Sequence, residues 1–314
     1  MDALVAHKGT VLSRSIDDYP QGIILPVDKP YRWTSADIIR KVKWMAVRHF
    51  GKKNLKVGHA GTLDPLATGV LLVCIGRATR LAEELQRSPK QYLAGVAFGA
   101  TTPSYDREKE IDADYPLDGV SREALEAVLP RFVGEQDQIA PLFSAKSVDG
   151  VRAYEMARKL YKAGQPVDSS VLTASRITIY GLCLEDFDTP LPLQAPESGS
   201  SASARINVAG LEGHRLINTS ILVDCSKGTY IRALARDLGT ALHSGAHLYG
   251  LRRTRVGHFT HDRCEPLDAL LQRLENEPLV PVQQALNQLL EQERAENRLR
   301  AARQKRDRLL QQHN

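Results

Sequence analysis

The chain has 314 residues, 42% of them hydrophobic and 25% charged, with 42 Lys and Arg against 37 Asp and Glu for a net charge of +5. That size holds one large domain or two modest ones, and the balance excludes a wholly disordered chain, a collagen-like chain and a small disulfide scaffold. No run approaches the roughly 18–20 apolar residues that span a bilayer, residues 1–14 offer no signal-peptide core, and four cysteines without a CxxC pair read as reduced, mostly buried thiols of a cytoplasmic protein.

In chain order, residues 1–20 read as an extension ahead of the core, which opens with the apolar strand Gly22–Val27. Asp28-Lys29-Pro30 breaks that strand. A helix starts at Thr34-Ser35: Asp37 stands at capping-box spacing, and Ile38, Ile39, Val42, Met45 and Ala46 recur at helical intervals before Gly51. Gly58–Gly69 reads as a loop rich in Gly and Thr, and the continuous apolar run Val70–Ile75 as a buried strand. A short helix over Leu81–Gln86 and an alternating strand over Gln91–Phe98 follow. Helices are predicted over Ser121–Leu129 and Ala153–Tyr161, and strands over Ser175–Phe187 and Ser220–Cys225. A flexible loop separates those two strands at 188–204. Thr229–Leu242 is a predicted helix with Ile231, Leu234, Ala235 and Leu238 on one face. Pro266–Leu274 and Val282–Leu310 read as helices of a basic C-terminal tail, 261–314. Interleaved strands and helices without regular βαβ spacing favour an α+β fold.

Charge is unevenly placed. Lys29–Ala60 holds nine Lys and Arg against one acid, and Val223–Thr260 holds six against two, whereas Thr101–Glu126 has eight acids against three cations. Two basic stretches far apart in sequence point to one composite surface for a polyanion, although a solvated lysine-rich helix face has the same composition.

The chemistry concentrates in Gly58-His59-Ala60-Gly61-Thr62-Leu63-Asp64-Pro65-Leu66-Ala67-Thr68-Gly69. Glycines and a proline fix a sharply turned backbone around one carboxylate. No Gly-Lys-Ser/Thr follows, so this is not a Walker-type phosphate loop, and a single Asp does not make a paired-carboxylate glycosidase site. A lone Asp on such a loop is either a reactive carboxylate or a helix cap and turn-former. His243, His247, His258, His261 and Cys264 lack the companion ligands of a zinc site, and no metal is expected.

With six further segments, that loop resembles the TruB/dyskerin family of pseudouridine synthases, specifically its bacterial branch acting on the T-loop uridine of tRNA at position 55. The supporting segments are Val27-Asp28-Lys29-Pro30, Trp33-Thr34-Ser35, Lys90-Gln91-Tyr92, Ser144-Ala145 with Gly150 and Arg152-Ala153-Tyr154-Glu155, Cys225 to Arg232, and Leu251-Arg252-Arg253-Thr254. The resemblance runs from about Gly22 to Gly257. It implies a mixed, largely antiparallel central sheet flanked by helices, a catalytic domain over 21–260 and a thumb-like insertion at about 139–172.

By the same resemblance Asp64 is the catalytic carboxylate and Arg232 the cation that keeps it ionised, while Tyr92 stacks on the extruded uracil and is a candidate for removing the C5 proton. His59 fills the space left by the flipped nucleotide. Thr62 and Lys227 are expected at the substrate, and Tyr230 and Leu251 wall the uracil pocket or pack behind it. Lys29 supports the active-site loop or a phosphate. No cofactor is implied, tRNA through its T-arm is the expected partner, no membrane is involved, and the protein is expected to be a monomer in the cytoplasm.

Departures from the family pattern lie outside this core. The 57 residues after Gly257 show no series of alternating strands, so a PUA-like RNA-binding module is not expected there. The thumb has Ser147 where relatives often carry Lys, and Thr101–Asp106 differs from the usual acidic loop. Two alternatives remain beside the enzyme: an RNA-binding or tRNA-folding protein, and the same chemistry on a different RNA.

Overall fold

A computed structural model of the chain describes residues 3–148, 150–189 and 206–276. Its strands are β1 (Leu4–Val5), β2 (Ile23–Lys29), β3 (Val57–Ala60), β4 (Ala67–Ile75), β5 (Lys90–Phe98), β6 (Ala100–Thr101), β7 (Ala113–Asp114), β8 (Gly134–Gln138), β9 (Ser147–Val148), β10 (Val151–Arg152), β11 (Ser175–Phe187), β12 (Ile217–Cys225), β13 (Ala246–Val256), β14 (Phe259–Thr260) and β15 (Glu265–Pro266). Its helices are α1 (Ser35–Phe50), α2 (Ala82–Arg87), α3 (Arg122–Val128), α4 (Ala153–Lys162), α5 (Ile231–Ala241) and α6 (Leu267–Asn276).

Eleven strands form one mixed sheet with the order β1-β2-β4-β13-β5-β12-β11-β8, to which β3, β14 and β15 attach at β4, β13 and β2. Only the β1–β2, β4–β13 and β2–β15 pairs in it are parallel. The α+β reading and the mixed, largely antiparallel sheet are thus the observed architecture.

Burial follows the pleat. Ile23, Leu25 and Val27 of β2, with Leu71, Val73 and Ile75 of β4, join α1 and α6 in one core. Their alternates Ile24, Val70, Leu72 and Cys74 pack on the other side with Phe259 and α2. Strand β4 is covered on both faces, which is why its sequence is apolar without alternation. A third core joins β5, β12 and β13 to α5 through Ile231, Leu234, Ala235 and Leu238, the face expected from their spacing.

Helix α1 begins where its sequence predicts. The Thr34 hydroxyl accepts from the Asp37 N–H while the Asp37 carboxylate accepts from the Thr34 N–H, and Gly51 closes the helix in the left-handed region. Other boundaries differ. Residues expected to precede the core belong to it: β1 pairs with β2, and Ala6, Leu12 and Ile16 are buried. The segment Gly58–Gly69 is not loop throughout, because β3 and the start of β4 pair at each end and leave a short turn between Gly61 and Leu66. The predicted helix at Val282–Leu310 and most of the loop at 188–204 lie outside the described residues.

The segment 140–172, within the expected thumb, has a small core of its own. Ala140, Leu142, Ala153, Ala157 and Leu172 are buried together, with Phe143, Leu160, Val167 and Tyr230 packed against them.

Candidate active site

The turn carrying Asp64 is held from three sides. Ser35, at the first position of α1, donates its hydroxyl to the Leu63 carbonyl and accepts the Leu63 N–H, both at 3.0 Å. Lys29, at the end of β2, is fully buried and donates its ammonium to the carbonyls of Pro30, Pro65 and Ala67 at 3.0, 3.1 and 2.6 Å. Arg253, on β13 and 1% exposed, donates Nε to the Val70 carbonyl at 2.8 Å, Nη2 to Gly61 at 3.0 Å and Nη1 to Thr62 at 3.4 Å. Gly69 lets β13 come close: a Cβ there would stand 2.2 Å from the Arg253 carbonyl oxygen, and its φ of +96° suits glycine.

So held, the turn presents the Asp64 side chain at 37% exposure to Arg232, whose own side chain is 6% exposed in the first turn of α5. Arg232 Nε lies 2.9 Å from Asp64 Oδ2 and 3.7 Å from Asp106 Oδ2, and Nη1 donates to the Ser104 carbonyl at 3.1 Å. The Nε–H is not aligned on either carboxylate, so the contact is ionic more than directional. Burial opposes the guanidinium charge, but Asp64, Asp106 and Glu108 outweigh it and hold its pKa above the ordinary value. Arg232 is therefore a permanent cation, as a buried guanidinium with carboxylate partners should be.

Asp106 was not legible as a site residue in the sequence. Its carboxylate is buried and accepts from Ser104 Oγ at 2.6 Å and from the Glu108 N–H at 2.9 Å. Burial raises the pKa of Asp106, with Arg232 pulling it down and Asp64 pushing it up. Burial, then Asp106 and Asp64, lift Glu108 to about 7. The available signal was the Ser104-Tyr105-Asp106 turn, where hydroxyl and carboxylate stand two apart at local capping spacing. The acidic run around it masked that pattern.

A cleft of about 540 Å³ opens in front of Asp64, on the scale of a small-molecule or nucleotide site. Of the residues expected at substrate, Thr62, Asp64, Tyr92, Lys227, Tyr230, Arg232 and Leu251 line it. Leu251 also borders a smaller cavity beside Asp64, Asp106 and Arg232. Tyr92 faces Arg253 and Val223 across β5, is 8% exposed, and has its phenol pKa raised by burial while Arg253 draws it down. Tyr230 caps α5, its N–H donating to Gln138 Oε1 at 2.9 Å.

Two expected residues are placed elsewhere. His59 lies half-buried on β3, outside the residues lining the cleft, with its pKa lowered by burial and then by Arg253. Lys29 has no exposed surface, so of its two expected roles the geometry fits loop support and gives no phosphate contact. Its pKa is lowered to about 7 by burial, against the pull of Asp64.

Fold and site place one carboxylate against a buried guanidinium at an open cleft of nucleotide size, an arrangement suited to an enzyme. The chain belongs to the TruB family of pseudouridylate synthases: residues 48–231 match the TruB N-terminal domain, and residues 232–301 match the C-terminal domain of tRNA pseudouridylate synthase B. It is 43% identical over 265 residues to the tRNA pseudouridine synthase B of Phocaeicola vulgatus, covering 84% of this chain and 98% of the relative. Against the tRNA pseudouridine synthase B of Parabacteroides distasonis it is 46% identical over 259 residues, covering 82% and 96%. Among solved structures, the crystal structure of a Cbf5–Nop10–Gar1 complex matches with a TM-score of 0.53 at 23% identity, a likeness of fold. That match covers 86% of this chain, which spans 60% of the other chain's length.

Proposed function

We propose that the protein isomerises a uridine of tRNA, in the T-loop at position 55, to pseudouridine. The observation that carries this reading is the Arg232–Asp64 pair, 2.9 Å apart at the floor of an open cleft beside Tyr92. The reaction exchanges the N1–C1′ bond for a C5–C1′ bond and moves a proton from C5 to N1. Atoms balance without an external reactant, so the chemistry asks for a fixed anionic oxygen at the sugar–base junction, which Asp64 supplies. Arg232 pairs with that oxygen as its fixed cationic partner. Tyr92 offers a ring to stack on the everted uracil and a hydroxyl toward the C5 proton.

A T-loop nucleotide is reached by shape and splayed bases, not through a duplex groove, and a thumb beside the cleft suits that mode. A tRNA substrate implies the cytoplasm, and action as a monomer is part of the same reading. Replacing Asp64 by Asn keeps size and removes charge. Conversion of a T-arm hairpin, with no guide RNA added, is expected to fall by about a thousandfold or more, the scale of losing a positioned catalytic group. Persistent conversion by Asp64→Asn would falsify the role of Asp64, and failure of the wild type on the bare hairpin would move the substrate to another RNA.

A further inference from the structure

The loop between β6 and β7 faces two ways. Asp106 turns inward to Arg232, while three residues on, Lys109 turns outward onto the thumb. The Lys109 Nζ lies 4.9 Å from the ring centroid of Tyr161 and 5.5 Å from that of Phe143. These two rings stand edge to face, 6.4 Å apart. An ammonium that near two rings is a cation–π contact with both.

A second tie runs alongside it. Arg236, one helical turn beyond Arg232 on α5, donates to the Ile139 carbonyl at the thumb's root at 2.9 Å. Its guanidinium also lies 5.4 Å from the ring of Tyr105, in the same loop as Asp106. The thumb's own core is separate from those of the sheet and contains five buried side chains. Tyr230 at the start of α5 packs against that core, and these ties add to its hold on the main body.

We propose that Lys109 is a positioning residue that couples the thumb to the catalytic ion pair. The proposal rests on the pseudouridine-synthase reading. With the thumb seated, Lys109 fixes the loop that presents Asp106 and Glu108 to Arg232, and Arg232 is thereby kept on Asp64. A thumb displaced from Lys109 loosens that loop, and Arg232 loses one of the partners that set its direction. Seating of the thumb is in this way relayed to the reacting carboxylate.

The test is single-turnover conversion of a T-arm hairpin at saturating protein, with hairpin affinity and melting temperature measured on the same samples. Lys109→Met keeps the apolar stem and removes the charge. Its saturated rate is expected to fall about five- to tenfold, as for loss of a partly desolvated cation–π contact. Affinity is expected to stay within about twofold, and Lys109→Arg, which retains the cation, to recover most of the rate. Tyr161→Leu, at a ring 38% exposed, should lower the rate similarly and add little on top of Lys109→Met. It also serves if the Lys109 variant fails to fold.

A Lys109→Met rate equal to that of a converting wild type overturns the proposal, as does full additivity with Tyr161→Leu. Weaker affinity with an unchanged saturated rate also overturns it, because Lys109 would then be a phosphate contact. A wild type that converts no uridine instead overturns the reading beneath.

Discussion

Arg232 is surrounded by more negative charge than one cation balances. Asp64, Asp106 and Glu108 all raise its pKa, while burial first and then the neighbouring carboxylates raise those of Asp106 and Glu108. Glu108, lifted to about 7, stays protonated in the folded protein at pH values where the unfolded chain, with its ordinary value of 4.5, has released the proton. The folded state then binds more protons between those values, so stability falls as pH rises from about 4.5 to about 7 and stays at that lower level above. Asp64, Asp106, Arg232 and Lys109 are the charged groups that face it. Glu108→Gln cannot ionise and escapes the fall. It is expected to melt about 2–4 °C above the wild type at pH 8, the shift that ~1 kcal/mol gives a chain of this size, with the gap closing by pH 4. Melting curves at pH 4, 6 and 8 check this, and an equal gap at all three would assign the effect to packing. None of this was visible in the sequence, where Thr101–Glu126 reads only as an acidic stretch; residue identity does not say which side of a turn a carboxylate occupies.

The elements that hold the site show where pattern reading succeeds and where it stops. Helix α1 was legible because its cap and apolar stripe are local: Thr34, Asp37 and the 38–42–45–46 face are set by neighbours within one helix. Strand β13, at the centre of the sheet between β4 and β5, was not predicted. Its register shifts between Leu248 and Gly250 and between Arg253 and Arg255, which breaks the period of two, and Arg253 occupies a buried position that a hydropathy pattern assigns to an apolar residue. Only tertiary structure supplies the three carbonyls that make a buried guanidinium tolerable there. The same dependence on distant partners applies to the Asp64 turn. Ser35 satisfies both the N–H and the C=O of Leu63, so Ser35→Ala leaves two buried backbone groups without those bonds. The expected cost is about 1–3 kcal/mol. Because Ser35 holds the turn from behind and does not itself line the cleft, the loss should appear in kcat with KM little changed, a split that steady-state kinetics on the hairpin reads directly. A rise in KM alone would show that Ser35 shapes RNA binding instead.

At the scale of the molecule, the two basic stretches do converge. Arg253 of the second reaches the Gly61 and Thr62 carbonyls just beyond the first, and Arg252 pairs with Asp28 at 2.8 Å. The composite surface is smaller than the sequence count implies, however, because Lys29, Arg232 and Arg253 are 0%, 5% and 1% exposed and serve the interior of the site. Other cations at the cleft are also engaged: Arg176 with Glu135 and Asp137, and Lys90 with the carbonyls of Gln86 and Ser88. Lys227 differs, being exposed on the turn before α5 and lining the cleft, with no side-chain hydrogen bond or ion pair among the described residues. A cation free in the unbound protein gains a phosphate without losing a protein partner, so its contribution to RNA affinity is undiluted. Lys227→Ala is therefore expected to weaken hairpin binding several-fold at low salt and to reduce the slope of log K against log salt by about 1. The saturated conversion rate should stay within about twofold of the wild type, since phosphate contacts of this kind set position and grip more than chemistry. Titrations at 50 and 200 mM salt decide it: an unchanged slope would mean that Lys227 meets solvent and not the RNA backbone.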